Sequence, residues 1–350
     1  MDKDHYAKLI KKELAGLPDY VTEFYINKNL AITTSYQYLT EIRRFFDWLR
    51  QENISSAKTN KDVQLKTLEH LKRTDVMLFL SSLRTDTNRQ DSNNSPSTVN
   101  RTINALRSLY HYLTVIADSQ DGEPYFYRNV MQKIPLQNDS ETLNYRAHQL
   151  ESRMYTGQIK HDFIDFLENQ YEGQCSKQQQ RFFTKNKERD IALVAFLLGT
   201  GVRVSEAANT NVDDLHLKNK MVDVTRKGGQ HDSVPMAPWS VKYVDAYLKV
   251  RNSRYSPEKG EKALFLTDWR KQGHRITTDA IERLVSKYST AFGRPLTPHK
   301  LRHTLASELY EITKDEVLVS QQLGQRGTSA TALYTHVNQT QQRDALNKIE

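Results

Sequence analysis

For roughly its first 130 residues the chain places apolar side chains at helical spacing and nowhere in the alternation that a strand requires. From Thr34, TSYQYLTEIRRFFDWLRQEN sets Leu39, Ile42, Phe46 and Leu49 on one face and leaves Arg43 and Arg44 off it. A second stretch, SPSTVNRTINALRSLYHYL, offers Ser95 as an N-cap and Pro96 at the first helical position, where the missing N–H has no intrahelical partner to lose. Val99, Ile103, Leu106 and Leu113 then form a stripe to bury, with Arg101 and Arg107 on the polar side. With a further helix near residues 65 to 83, this predicts a bundle of four or five helices.

The polar run TDTNRQDSNN, residues 85 to 94, reads as a surface connection inside that bundle. Apolar periodicity is lost after Pro135, in IPLQNDSETLNYRAHQLESRMYTGQ. The chain therefore divides into a helical domain over 1–134, an interdomain linker over 135–158 and a second domain over 159–350. Element types mix in the second domain. HDFIDFLENQY and RDIALVAFLLGTG are helical, whereas DDLHLKNKMVDVTRKGGQHDSVPM holds short β-prone runs with RKGGQ as a hairpin tip, after which helices resume to the end. The expected fold class is mainly α with a small antiparallel sheet: an N-terminal helical bundle followed by an α+β domain. No internal repeat is visible, which argues against a solenoid.

Charge narrows the partner. Fifty Lys and Arg against 42 Asp and Glu give a formal charge of +8. The cations are spread over many helices, not gathered on one amphipathic anchor, which favours nucleic acid over a membrane surface. No apolar run approaches the ~18 residues of a membrane span. The start, MDKDHYAKLIKKELAGL, lacks the apolar core of a signal peptide, so a cytoplasmic protein without membrane insertion is expected. The one cysteine, Cys175, has no partner for an internal disulfide.

Polar residues concentrate where helix packing does not ask for them. GTGVRVSE carries Arg203 and Glu206, the hairpin tip carries Lys227, HKLRHT carries His299, Arg302 and His303, and LGQRGTSATALYTH carries Gln325 and Tyr334. Each has an ordinary explanation taken singly: a helix-end arginine is commonly a solvated charge, a lysine beside Gly-Gly a turn residue, a tyrosine core filling. His299 and His303, four apart, are half of a metal site at most, because HKLRH has no glutamate and holds two cations. No metal and no cofactor are expected.

Their order and spacing together resemble the tyrosine recombinases, the phage integrase and Xer enzymes that cut and rejoin DNA through a 3′-phosphotyrosine. VTRKGGQHDSVPM and SETLNYRAHQLESRMYTG are similar to the single-recombinase XerS type within that family. The resemblance implies a SAM-like core-binding domain and a catalytic domain closing on DNA as a C-shaped clamp. It implies that Arg203 and Arg302 hold the nonbridging phosphate oxygens, a task for which planar guanidiniums suit better than point charges. Lys227 would protonate the leaving 5′ oxygen, His299 would accept the phenol proton or bond the phosphate, and Tyr334 would attack phosphorus. Glu206 and His303 would support these groups.

Gln325 stands where the family usually carries His or Trp. Its amide can donate a hydrogen bond and cannot carry a proton at neutral pH, so a slower enzyme is expected, not a dead one. Arg43, Arg44, Arg101 and Arg107 are the candidate DNA-binding residues of the first domain. The resemblance further implies a double-stranded recombination site as partner, two protomers per site and four per synapse, and a cell-division activator protein. The tail NQTQQRDALNKIE would join neighbouring protomers. The implied role is resolution of chromosome dimers at a dif-type site. An integrase or excisionase of a mobile element is the alternative within the same chemistry, and a DNA-binding protein impaired by Gln325 is the alternative outside it.

Overall fold

In the computed structural model, residues 3–85, 96–119, 121–138, 141–151 and 153–325 are described, with Gly327, Thr331, Tyr334 and Ile349 beyond them. The chain divides into two units, residues 1–140 and 141–350. Among the described residues no helix is long and apolar enough to cross a membrane.

The first unit is helical: α1 (Lys3–Ala15), α2 (Asp19–Lys28), α3 (Ile32–Gln51), α4 (Leu65–His70), α5 (Arg73–Thr85) and α6 (Pro96–His111). The α3 stripe predicted from spacing is buried in full, and Phe45 and Trp48 widen it. Phe45 meets Phe79 of α5 with ring centroids 4.9 Å apart. Val99, Ile103, Leu106 and Leu113 are buried as expected, each side chain contributing about 1.5–3 kcal/mol. One helix was expected over 65 to 83 and two are present. Leu71 leaves the helical region at φ −55°, ψ 134°. The Asp75 carboxylate then takes the Lys72 N–H at 2.8 Å to start a new helix.

Three of the four basic candidates in this unit are engaged internally. Arg43 pairs with Glu13 at 2.8 Å and Asp47 at 3.2 Å. Arg44 pairs with Glu41 at 3.1 Å, and Arg107 donates to the Ile134 carbonyl. Arg101 is exposed.

The second unit holds α7 (Leu143–Glu151), α8 (Gln158–Asp165), α9 (Lys177–Thr200), α10 (Val204–Asn209), β1 (Leu215–His216), β2 (Met221–Thr225), β3 (His231–Pro235), α11 (Pro238–Tyr255), β4 (Leu266–Trp269), β5 (Gln272–Arg275), α12 (Thr278–Ala291), α13 (Pro298–Thr313) and α14 (Glu316–Leu323). Helix α9 is the spine, buried without a break from Arg189 to Thr200. α11 and α13 pack against it. Strands β1, β2 and β3 form one antiparallel sheet in that order. Val222 lies opposite Val234 and Thr225 opposite His231, so residues 226–230 form the hairpin tip.

Two expectations change here. The stretch read as a linker over 135–158 is folded into this unit from Glu141 onward. Ala147 and Leu150 of α7, with Met154 after it, are buried in one cluster with Ala306 and Val319. The Tyr155 N–H donates to the Thr304 hydroxyl at 3.1 Å. The spacing of these apolar residues is helical, but the stripe is too narrow to stand out among polar neighbours. Helices were also expected to run unbroken after the hairpin, yet β4 and β5 form a second, two-stranded sheet. Its two-residue turn uses Arg270 and Lys271 at φ 53° and 67°, where Asn-Gly is the usual signal. The expected loop beyond Thr85, the Ser95 cap and the tail 338–350 apart from Ile349 lie outside the described residues.

Candidate active site

Helix α9 ends at Gly201, whose φ of +66° makes the left-handed cap that turns the chain toward Arg203. A side chain there would be strained and would meet Leu305 Cδ2 at 2.8 Å. Arg203 is the N-cap of α10 and is locked onto Glu206 three residues on. Its guanidinium donates to Glu206 Oε1 at 2.7 Å and its backbone N–H to Oε2 at 2.8 Å. Glu206 is buried, and a carboxylate in that position is tolerated only with cationic partners.

The second cation supplies the rest. Arg226, at the start of the hairpin tip, is also buried and donates to Glu206 Oε2 at 3.0 Å, to Asp232 at 2.8 Å and to the Gln322 carbonyl at 3.0 Å. Glu206 therefore bridges two arginines from a buried position and is no surface ion pair. Arg226 was not singled out from the sequence, although an arginine next to the Lys-Gly-Gly tip with an aspartate six residues on was a readable signal. Lys227 follows it, exposed at the tip.

Helix α13 carries the other cationic group. Arg302, 3% exposed, donates to the Gly201 carbonyl at 2.7 Å and the Leu323 carbonyl at 2.5 Å. Those carbonyls close the C-terminal ends of α9 and α14, where partial negative charge accumulates. Burial, with Arg203 nearby, lowers its pKa to about 10, so the guanidinium remains charged at neutral pH. One turn before it, His299 is held below the usual imidazole range by burial and by the charges of Arg302, Lys300 and Arg203. Arg203, His299 and Arg302 together line a cleft of about 710 Å³, whose walls include Ser205, Arg283 and Thr297.

Tyr334 lies outside that lining, 2% exposed among Ala147, Leu150, Met154, Ala306, Val319 and Leu323. Burial raises its phenol to about 12, against the opposing pull of Arg302. Its oxygen is 2.6 Å from Nδ1 of His303. The sequence reading put His299 on the phenol proton and gave His303 a supporting part. In this structure the phenol's contact is with His303, whose ring packs edge to face on His299 with centroids 4.4 Å apart.

Gln325 follows Gly324, the left-handed cap of α14 at φ +55°. Its backbone N–H donates to the Ser320 carbonyl at 3.0 Å, while its side-chain Oε1 is buried with no hydrogen-bond partner among the described residues. The structure thus gathers Arg203, His299 and Arg302 about one cleft, holds Arg203 there by the buried Glu206, joins His303 to Tyr334 beside it, and leaves Lys227 on the adjoining hairpin.

Comparisons with known proteins agree with this arrangement. Residues 165–341 match the model of the phage integrase family, and residues 17–116 match the N-terminal SAM-like domain of phage integrases. The chain is 44% identical over 356 residues to tyrosine recombinase XerS of Streptococcus thermophilus strain CNRZ 1066, covering all of both chains. It is 44% identical over 345 residues to the XerS of Streptococcus mutans, covering 97% of this chain and 96% of the relative. Among solved structures, the post-cleavage complex of XerH recombinase with a palindromic difH substrate aligns with a TM-score of 0.65 at 20% identity, over 91% of this chain and 79% of that one. A helical bundle with a SAM-like match, an α+β unit carrying the arginine, histidine and tyrosine pattern, and full-length similarity to XerS proteins establish that the chain belongs to the phage integrase family, among the XerS-type tyrosine recombinases.

Proposed function

We propose that this tyrosine recombinase resolves chromosome dimers in the cytoplasm, cutting and rejoining duplex DNA at a dif-type site through a Holliday junction. The observation that supports this most is the pair of guanidiniums, Arg203 and Arg302, facing one cleft beside His299, with Tyr334 close by on His303. In-line attack by the Tyr334 oxygen forms a P–O bond to the 3′ phosphate and breaks the bond to the 5′ oxygen. Arg203 and Arg302 neutralise the nonbridging oxygens of the five-coordinate transition state. His299, kept neutral by its surroundings, accepts the phenol proton once Tyr334 enters the cleft, and Lys227 protonates the departing 5′ oxygen. The phosphotyrosine ester retains the bond energy, and a second 5′ hydroxyl reverses the step on a new strand.

Binding rests on phosphate contacts by both units and weakens steeply with salt. The assembly we infer has two protomers on each site and four in the synapse, with a cell-division protein as activator. The difH substrate named for XerH supports a dif-type target. The Gln325 Oε1, buried with no hydrogen-bond partner among the described residues, is the observation favouring a DNA-binding protein of impaired activity.

The test begins by mapping the chain's chromosomal binding sites, since a single site opposite the replication origin supports dimer resolution and an element-borne site supports a mobile-element integrase. A nicked suicide duplex of that sequence is then incubated with the protein. A denaturation-resistant adduct is expected, in excess EDTA as well, and Tyr334→Phe should abolish it. An adduct formed by Gln325→His and not by the natural chain would favour the impaired reading.

A further inference from the structure

We propose that Arg226 is a positioning residue that fixes the Lys227-bearing hairpin tip against the arginine centre, so that Lys227 reaches the 5′ oxygen in register with Arg203. This rests on the reading of Lys227 as the proton donor. A hairpin tip built on Gly228 and Gly229 has little stiffness of its own, and Lys227 is exposed on it. The residue before it is the opposite. The Arg226 guanidinium is buried and tied at three points: to Asp232 across the hairpin at 2.8 Å, to Glu206 at 3.0 Å and to the Gln322 carbonyl at 3.0 Å. The same Glu206 holds Arg203 at 2.7 Å. Its backbone closes the tip as well, with the Arg226 N–H donating to the Gln230 carbonyl at 2.7 Å and the Gly229 N–H to the Arg226 carbonyl at 3.0 Å.

One carboxylate thus sets the position of the phosphate-holding arginine and, through Arg226, the root of the lysine. A proton delivered to a leaving oxygen needs placement to within hydrogen-bond reach. A loose tip would leave DNA binding and the charge clamp intact while delaying that proton.

Single-turnover cleavage of two substrates separates these parts. On the natural phosphodiester the 5′ oxygen must take a proton as the P–O bond breaks. With sulfur in place of that bridging oxygen, the thiolate departs without one. Arg226→Met should slow cleavage of the oxygen substrate by about 10²-fold and of the sulfur substrate by no more than about 3-fold, with DNA affinity unchanged. Lys227→Ala should show the same pattern. Asp232→Asn, which removes only the partly exposed tip-side anchor, should show it at about tenfold, and serves if Arg226→Met does not fold. Equal losses on both substrates, or no loss, would overturn the positioning role. If Lys227→Ala is not rescued by sulfur, the lysine is not the proton donor and the reading beneath fails. If it is rescued while Arg226→Met and Asp232→Asn are not, only the inference fails.

Discussion

Nδ1 of His303 and the phenol oxygen of Tyr334 stand 2.6 Å apart, and burial drives the two groups in opposite directions. It lowers the imidazole to about 3 and raises the phenol to about 12. The proton therefore stays on the phenol, and the neutral imidazole accepts its hydrogen bond. This pair holds the tyrosine in place without activating it. On the mechanism proposed above, attack would require Tyr334 to exchange its apolar cluster for the cleft lined by Arg203 and Arg302.

The pair has a consequence for stability. His303 has a folded pKa of about 3 against 6.5 for an ordinary imidazole, so the unfolded chain takes up a proton that the folded chain refuses. Its burial is without penalty above about pH 6.5 and destabilises the fold as pH falls toward 3, by at most about 1.4 kcal/mol per pH unit. His299 acts in the same direction. Urea midpoints measured from pH 7 to 5 should fall less steeply for His303→Gln than for the natural chain. Parallel slopes would show that this imidazole does not govern the acid response.

Helical spacing was enough to place Leu39, Ile42, Phe46 and Leu49 in the first core, but it missed the bend at Leu71, which only the Asp75 cap marks. The hairpin tip at RKGGQ was legible because Gly-Gly breaks both helix and strand. The order of Arg203, His299, Arg302 and Tyr334 was legible as a pattern, but its wiring was not. Arg226 reaches Gln322 across 96 positions, and His303 reaches Tyr334 across 31. Such partners are fixed by packing and leave no local periodicity. The β4–β5 hairpin was missed for a different reason, a turn of Arg270 and Lys271 with none of the residues that favour positive φ.

Arg302 ties two helix ends together, and the proposed mechanism gives it a chemical task as well. Replacing it by lysine keeps a charge but loses the fork that reaches the Gly201 and Leu323 carbonyls together. Arg302→Lys should lower stability by about 1–3 kcal/mol, the cost of a buried carbonyl left unpaired. Adduct formation on the suicide duplex should fall by about 10²–10³-fold, as for loss of one preorganised donor. A variant that melts like the natural chain and cleaves at full rate would remove Arg302 from the site.

Gln325 has its Oε1 buried with no hydrogen-bond partner among the described residues. An imidazole there could donate to phosphate and also exchange a proton near neutral pH. Gln325→His should raise the single-turnover cleavage rate by about tenfold or more while leaving DNA affinity unchanged. An unchanged or lower rate would mean that the amide already supplies all that this position contributes.

Gly324 tests how tightly the site is packed around Arg226. Its φ of +55° disfavours any L side chain by about 1–2 kcal/mol. A methyl group there would also meet Arg226 Nε at 2.3 Å, so the guanidinium would have to move away from Glu206 and Asp232. Gly293 isolates the first effect: it too has a positive φ, +83°, and a methyl group would meet nothing within 4 Å. Gly293→Ala should therefore lose about 1–2 kcal/mol and keep its cleavage rate. Gly324→Ala should lose more stability and, in addition, cleave the oxygen substrate about tenfold or more slowly, because the tie between hairpin and arginine centre is broken. Equal behaviour of the two alanine variants would mean that the guanidinium can be displaced without consequence.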